Sequence, residues 1–74
     1  NPVTKINYEL RVTNYVSLKV FDILGNEIKS LVSNNQPAGS YEISFDGEGL
    51  SSGIYFYNLS AGSLSETKRM TLLK

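Results

Sequence analysis

Apolar side chains recur at every second position of this chain, in short runs separated by turns. Ile6, Tyr8 and Leu10 alternate with Lys5, Asn7 and Glu9. Val16, Leu18 and Val20 alternate with Ser17 and Lys19, and Tyr41, Ile43 and Phe45 with Ser40, Glu42 and Ser44. In an extended chain successive side chains point to opposite faces, so each run predicts a strand with one face in a core and one in water. Met70 and Leu72 repeat the pattern against Arg69 and Thr71. No segment sustains a helical period.

The punctuation between these runs is equally specific. Asp22-Ile23-Leu24-Gly25 reads as a type I turn, with Asp first and Gly fourth, and the Asp22 carboxylate is placed to accept backbone N–H bonds. Asn34 to Gly39, "NNQPAG", is turn chemistry throughout, and Ala61-Gly62 marks another turn. Asp46 to Gly53, "DGEGLSSG", reads as a crossing loop whose lone hydrophobe, Leu50, plugs one end of the core. Residues 26–33, "NEIKSLVS", are less regular: Ile28 and Leu31 lie three apart, which fits a bulged or strongly twisted strand, or alternatively a single helical turn. Residues 54–60, "IYFYNLS", are apolar on both faces. Asn58 shares its parity with Ile54 and Phe56, so Tyr55, Tyr57 and Leu59 are predicted to point inward. The sum is roughly six to seven short strands with turns about every 8–12 residues, the spacing of a small immunoglobulin-like antiparallel β-sandwich.

With 74 residues the chain fits one domain, residues 1–74. A compact chain of this size has a radius of gyration of roughly 11 Å. It contains no cysteine, so neither a disulfide nor a thiolate metal site stabilises it, and the apolar core carries that role. Seven Lys+Arg balance seven Asp+Glu, and nothing steers the chain toward nucleic acid or anionic lipid. No apolar run approaches the ~20 residues of a membrane helix, so no membrane insertion is expected. The first residues are Asn1-Pro2 rather than Met, the expectation for a piece of a longer secreted protein.

Candidate chemistry is sparse. Histidine is absent, which excludes a Ser-His-Asp arrangement, and no Ser-x-x-Lys motif occurs. No catalytic residue, metal ligand or cofactor is expected. Asp46-Gly47-Glu48 supplies two carboxylates where calcium wants about six to eight oxygens, so a solvated turn is the better reading. Asn58-Leu59-Ser60 matches a glycosylation sequon but lies inside a predicted strand. Five tyrosines and three phenylalanines raise the question of a stacking surface. Tyr8, Tyr41, Tyr55 and Tyr57 fall mostly on inward parity and read as core. Leu50 to Tyr55, "LSSGIY", resembles a tyrosine corner, in which the phenol bonds back to the backbone a few residues upstream. Phe21 and Phe56 fall on outward parity; if both are exposed they form an apolar contact patch.

The motif order goes further than any single motif. "NPVTKINYEL", "VSLKVFDILGNEI", "PAGSYEISFDGEGLSSGIYFYNL" and "TKRMTLLK" follow one another at short spacing and span essentially the whole chain. In that order they resemble the type A C-terminal sorting domain of type IX (Por) secretion cargo proteins. They are similar also to the immunoglobulin-like domain of flagellar hook-cap proteins. The first resemblance implies a non-catalytic C-terminal signal domain. Its parent, a catalytic or adhesive protein, enters the periplasm of a Gram-negative bacterium and is exported across the outer membrane to the cell surface or medium. The implied partners are the outer-membrane translocon, a shuttle protein and a sortase. Pro37, Gly39 and Tyr41 match the family's Pro-x-Gly-x-Tyr element, Gly53 and Tyr55 its Gly-x-Tyr element, Lys68 and Lys74 its basic tail, and Asp22 and Gly25 its structural turn.

Two other readings compete. One is a structural immunoglobulin-like spacer or accessory domain of a larger extracellular enzyme. The other is a carbohydrate-binding module, which predicts exposed aromatics and has only Phe21, Phe56 and Tyr15 to offer.

Overall fold

Each alternating run forms a strand, and the turns fall between them. The computed structural model describes residues 3–73. Within them the strands are β1 (Val3–Leu10), β2 (Asn14–Phe21), β3 (Glu27–Gln36), β4 (Gly39–Asp46), β5 (Gly53–Ala61) and β6 (Leu64–Leu72). They make two antiparallel sheets, a two-stranded β1-β4 and a four-stranded β3-β2-β5-β6. The fold is a small all-β sandwich.

The inward parity predicted from the sequence is the parity that is buried. Ile6, Tyr8 and Leu10 of β1, Val16, Leu18 and Val20 of β2, Phe45 of β4, and Tyr55 and Leu59 of β5 form one core with Val32, Ala61 and Leu72. Leu50 packs against that core from the crossing loop, as do Tyr41, Ile43, Tyr57 and Met70 from their strands. No polar or charged residue is buried among those described. Burying hydrocarbon at about 25 cal/mol per Å2 is thus the term that holds the two sheets together.

β3 is a bulged strand and not a helical turn. Its register against β2 slips twice, between Leu18 and Lys19 and between Val20 and Phe21. The residues passed over are Leu31 and Ile28, the two hydrophobes whose spacing broke the alternation. The first slip lets Leu31 pack against the core.

Asn34, Asn35 and Gln36 differ from expectation. They are strand residues, paired with Val16, Tyr15 and Asn14, and the connection to β4 is only Pro37-Ala38. Backbone pairing to β2 holds them extended despite their turn-like composition.

The radius of gyration is 12.5 Å, larger than the roughly 11 Å of a compact sphere-like chain. The molecule measures 36 × 23 × 16 Å. Strands of up to ten residues rise about 3.3 Å per residue and set the long dimension.

Candidate functional site

The motif residues form two copies of one device, each spanning five positions. At the start of β4, the Tyr41 hydroxyl donates to the Pro37 carbonyl at 2.5 Å. At the start of β5, the Tyr55 hydroxyl donates to the Ser51 carbonyl at 2.7 Å. In each, a glycine sits midway: Gly39 at φ 151° and Gly53 at φ 155°. No atom lies within 4 Å of the position a Cβ would take at either glycine, so the backbone angle and not space selects glycine there. The glycine redirects the chain into a strand, and the tyrosine two residues later ties that strand back to the carbonyl before the bend. The second copy is the tyrosine corner expected from "LSSGIY". The first uses the same spacing in "PAGSY", with a ring that is only half-buried.

The two devices lie at opposite ends of β4, since one opens β4 and the other follows it. Gly53 stands opposite Leu72 in the β5–β6 register, so the end of β6 reaches the second device. The Asp22 turn is at that same end: Asp22, Ile23, Gly53, Ile54 and Tyr55 line one shallow depression. The Asp22 carboxylate accepts the Leu24 and Asn26 amides, both at 2.9 Å, and the Asn26 side-chain amide at 3.2 Å. The Gly25 amide donates to the Asp22 carbonyl at 3.0 Å and Gly25 takes φ 88°. These hydrogen bonds, the Asn26 backbone amide foremost, hold the Asp22 carboxyl below its usual range. The turn presents Ile23 and Leu24 to solvent, the latter 83% exposed.

The basic residues of the tail do not make one patch. Lys68 pairs with Tyr57 and has inward parity, yet it is exposed, on a strand at the edge of its sheet. Arg69 pairs with Phe56 and lies on the outer face. Lys74 lies outside the described residues. Phe21 and Phe56 are each half-buried, and they face one another across β2 and β5.

Other side chains are committed to the fold. The Tyr8 hydroxyl donates to Gln36 Oε1 at 2.5 Å, linking β1 to the far end of β3, and its ring stacks on Tyr41 with centroids 5.2 Å apart. Burial pushes the Tyr8 phenol up from its ordinary value. The Asn58 side-chain amide donates to the Glu66 carbonyl at 3.2 Å and to Thr67 Oγ1 at 3.0 Å, which occupies the sequon asparagine. Asp46 Oδ1 accepts the Glu48 amide at 2.9 Å, so its carboxylate stabilises a turn. The Tyr8–Gln36 link is the contact sequence reasoning missed, since nothing local ties residues 28 positions apart. The Pro37–Tyr41 bond was within reach, because its spacing repeats that of Ser51–Tyr55.

A family model described as a secretion system C-terminal sorting domain matches residues 1–72. No curated protein and no solved structure matches the chain.

Proposed function

The chain belongs to the family of secretion system C-terminal sorting domains, and from that premise we propose that its folded surface, rather than any reactive group on it, is what the type IX export machinery reads. Membership makes the domain a sorting signal for export to the cell surface or medium across the outer membrane. The finer reading is that a translocon, a shuttle protein and a sortase of a Gram-negative bacterium bind it, and that residues 1–74 are the terminal unit of a longer secreted parent.

The observation that carries this reading is the fate of the motif residues. Gly39, Tyr41, Gly53, Tyr55, Asp22 and Gly25 are each engaged in shaping a bend or a turn. None forms a nucleophile–base pair or a ligand cluster. Residues that define a sorting signal while working as scaffold point to recognition of the assembled sandwich. Lys68 and Arg69 are exposed on β6 and in neither of the ion pairs found among the described residues, so both are open to a partner.

The test is an export assay. Residues 1–74 follow a fluorescent reporter bearing a periplasmic signal, joined by a native upstream linker. The fusion is expressed in a type IX-competent strain and in a translocon-deleted strain. Reporter at the surface or in the medium of the first strain only is the expected result. Reporter held in the periplasm of both, with the domain folded, sinks the proposal and favours a structural spacer. A Lys68→Ala/Lys74→Ala pair that leaves fold and export unchanged removes the basic residues from the recognised surface.

A further inference from the structure

The outer face of the four-stranded sheet, turned away from β1 and β4, carries a row that crosses all four strands. Phe21 pairs with Glu27 on one side and with Phe56 on the other, and Phe56 pairs with Arg69. The row therefore reads acid, aromatic, aromatic, base. Lys19 reaches Glu27 at 3.5 Å, which places the Glu27 carboxylate on this face. Phe21, Ile23, Phe56 and Thr67 line one depression on it. One step toward the Asp22 turn, Ile23, 67% exposed, lies beside Ile54, 37% exposed. Glu27 and Arg69 stand three strand spacings apart, about 14 Å, too far to neutralise each other within one chain.

We propose that this face receives a second copy of the same chain, sheet against sheet. A twofold axis lying between the stacked sheets, along the seam of β2 and β5, reverses the order of the row. Phe21 of each copy then covers Phe56 of the other, Ile23 covers Ile54, and Glu27 meets Arg69 at both rims. The charge order selects this occupant: acid and base stand equally far from the seam, so reversal brings opposite charges together twice. Stacked sheets sit about 10 Å apart and cross at about 30°, an offset that long rim side chains can span. The apolar part of the face is small, Phe21, Phe56, Ile23 and Ile54, so the association is weak and shows at high concentration. This inference goes beyond the export reading and does not depend on it.

Sedimentation velocity on the full 74-residue chain, up to about 1 mM, tests it. The unaltered chain shifts toward dimer as concentration rises. Arg69→Glu alone and Glu27→Lys alone each weaken association about tenfold or more, because like charges then meet at both rims. An equimolar mixture of the two variants regains it, since each copy supplies the charge the other lacks. Both positions are exposed, and circular dichroism checks that both variants fold. A chain that stays monomeric throughout overturns the proposal. So does association that survives either single reversal, or a mixture that remains monomeric.

Discussion

Replacing Tyr55 by Phe removes one oxygen and leaves the ring in place. The ring is buried, 8% exposed, and its hydroxyl donates to the Ser51 carbonyl at 2.7 Å. A neutral hydrogen bond contributes about 0.5–1.5 kcal/mol net. Ser51 is exposed, so water reaches its carbonyl once the phenol is gone, which sets the expected loss near about 1 kcal/mol. A domain of this size is stable by roughly 4–11 kcal/mol, at about 0.05–0.15 kcal/mol per residue. Tyr55→Phe therefore stays folded, with its melting temperature lowered by about 4–8 °C. Tyr55→Ala also removes the ring from the core and costs about 3–5 kcal/mol, a large share of the total. The pair separates scaffold from recognition. Urea titrations followed by circular dichroism give the two stabilities, and the reporter fusion gives export. Tyr55→Phe is expected to be exported like the unaltered chain, and Tyr55→Ala to fail in proportion to its unfolding. A Tyr55→Phe chain that is folded at the assay temperature yet stays in the periplasm refutes the reasoning, because the phenol is then read directly by a partner.

Three further outcomes follow from the same geometry. Gly53→Ala and Gly39→Ala each lose about 1 kcal/mol or more from backbone strain alone, as both sites are sterically open, and matched losses in urea titrations check that the two bends are one device. The Asp22 carboxyl is held low in the folded chain, so the unfolded chain takes up its proton first as pH falls. The stability Asp22 contributes is present above the ordinary carboxylate range and is lost as pH drops through its depressed folded value, and Asp22→Asn flattens that acid limb in melts taken across it. Phe45→Ala empties the largest fully buried side chain and costs about 3–5 kcal/mol, read as a drop in the urea midpoint with the slope unchanged.

The strands were legible because each carries its own signal. Ile6, Tyr8 and Leu10 need no partner to announce a period of two, and Asp22 with Gly25 announces a turn by itself. Irregularity was legible too: the spacing of Ile28 and Leu31 fitted a bulged strand or a single helical turn, and they are the residues the β3 register passes over. What stayed hidden depends on distant parts of the chain. Asn34 to Gln36 look like a turn until β2 pairs with them and Tyr8 donates to Gln36 from the other sheet. Lys68 reads in sequence as part of a basic tail beside Arg69, yet adjacent strand residues point to opposite faces, and β6 pairs Lys68 with Tyr57 and Arg69 with Phe56. The self-complementary row of Glu27, Phe21, Phe56 and Arg69 could not be seen without the strand order, which no local pattern encodes.

That strand order also governs how the molecule comes into being. β2–β3 and β5–β6 are neighbours along the chain and can form as hairpins in about 1–10 μs. β1 has no such neighbour: among the described residues it pairs with β4 alone, and β2 must wait for β5 to close the larger sheet. Topologies dominated by such distant pairings fold on the order of milliseconds to seconds. During that interval β1 is an unpaired, half-apolar strand, open to capture by any free edge it meets. A machinery that recognises only the finished sandwich therefore imposes a delay on its cargo, and the refolding rate of this domain sets how long that delay lasts.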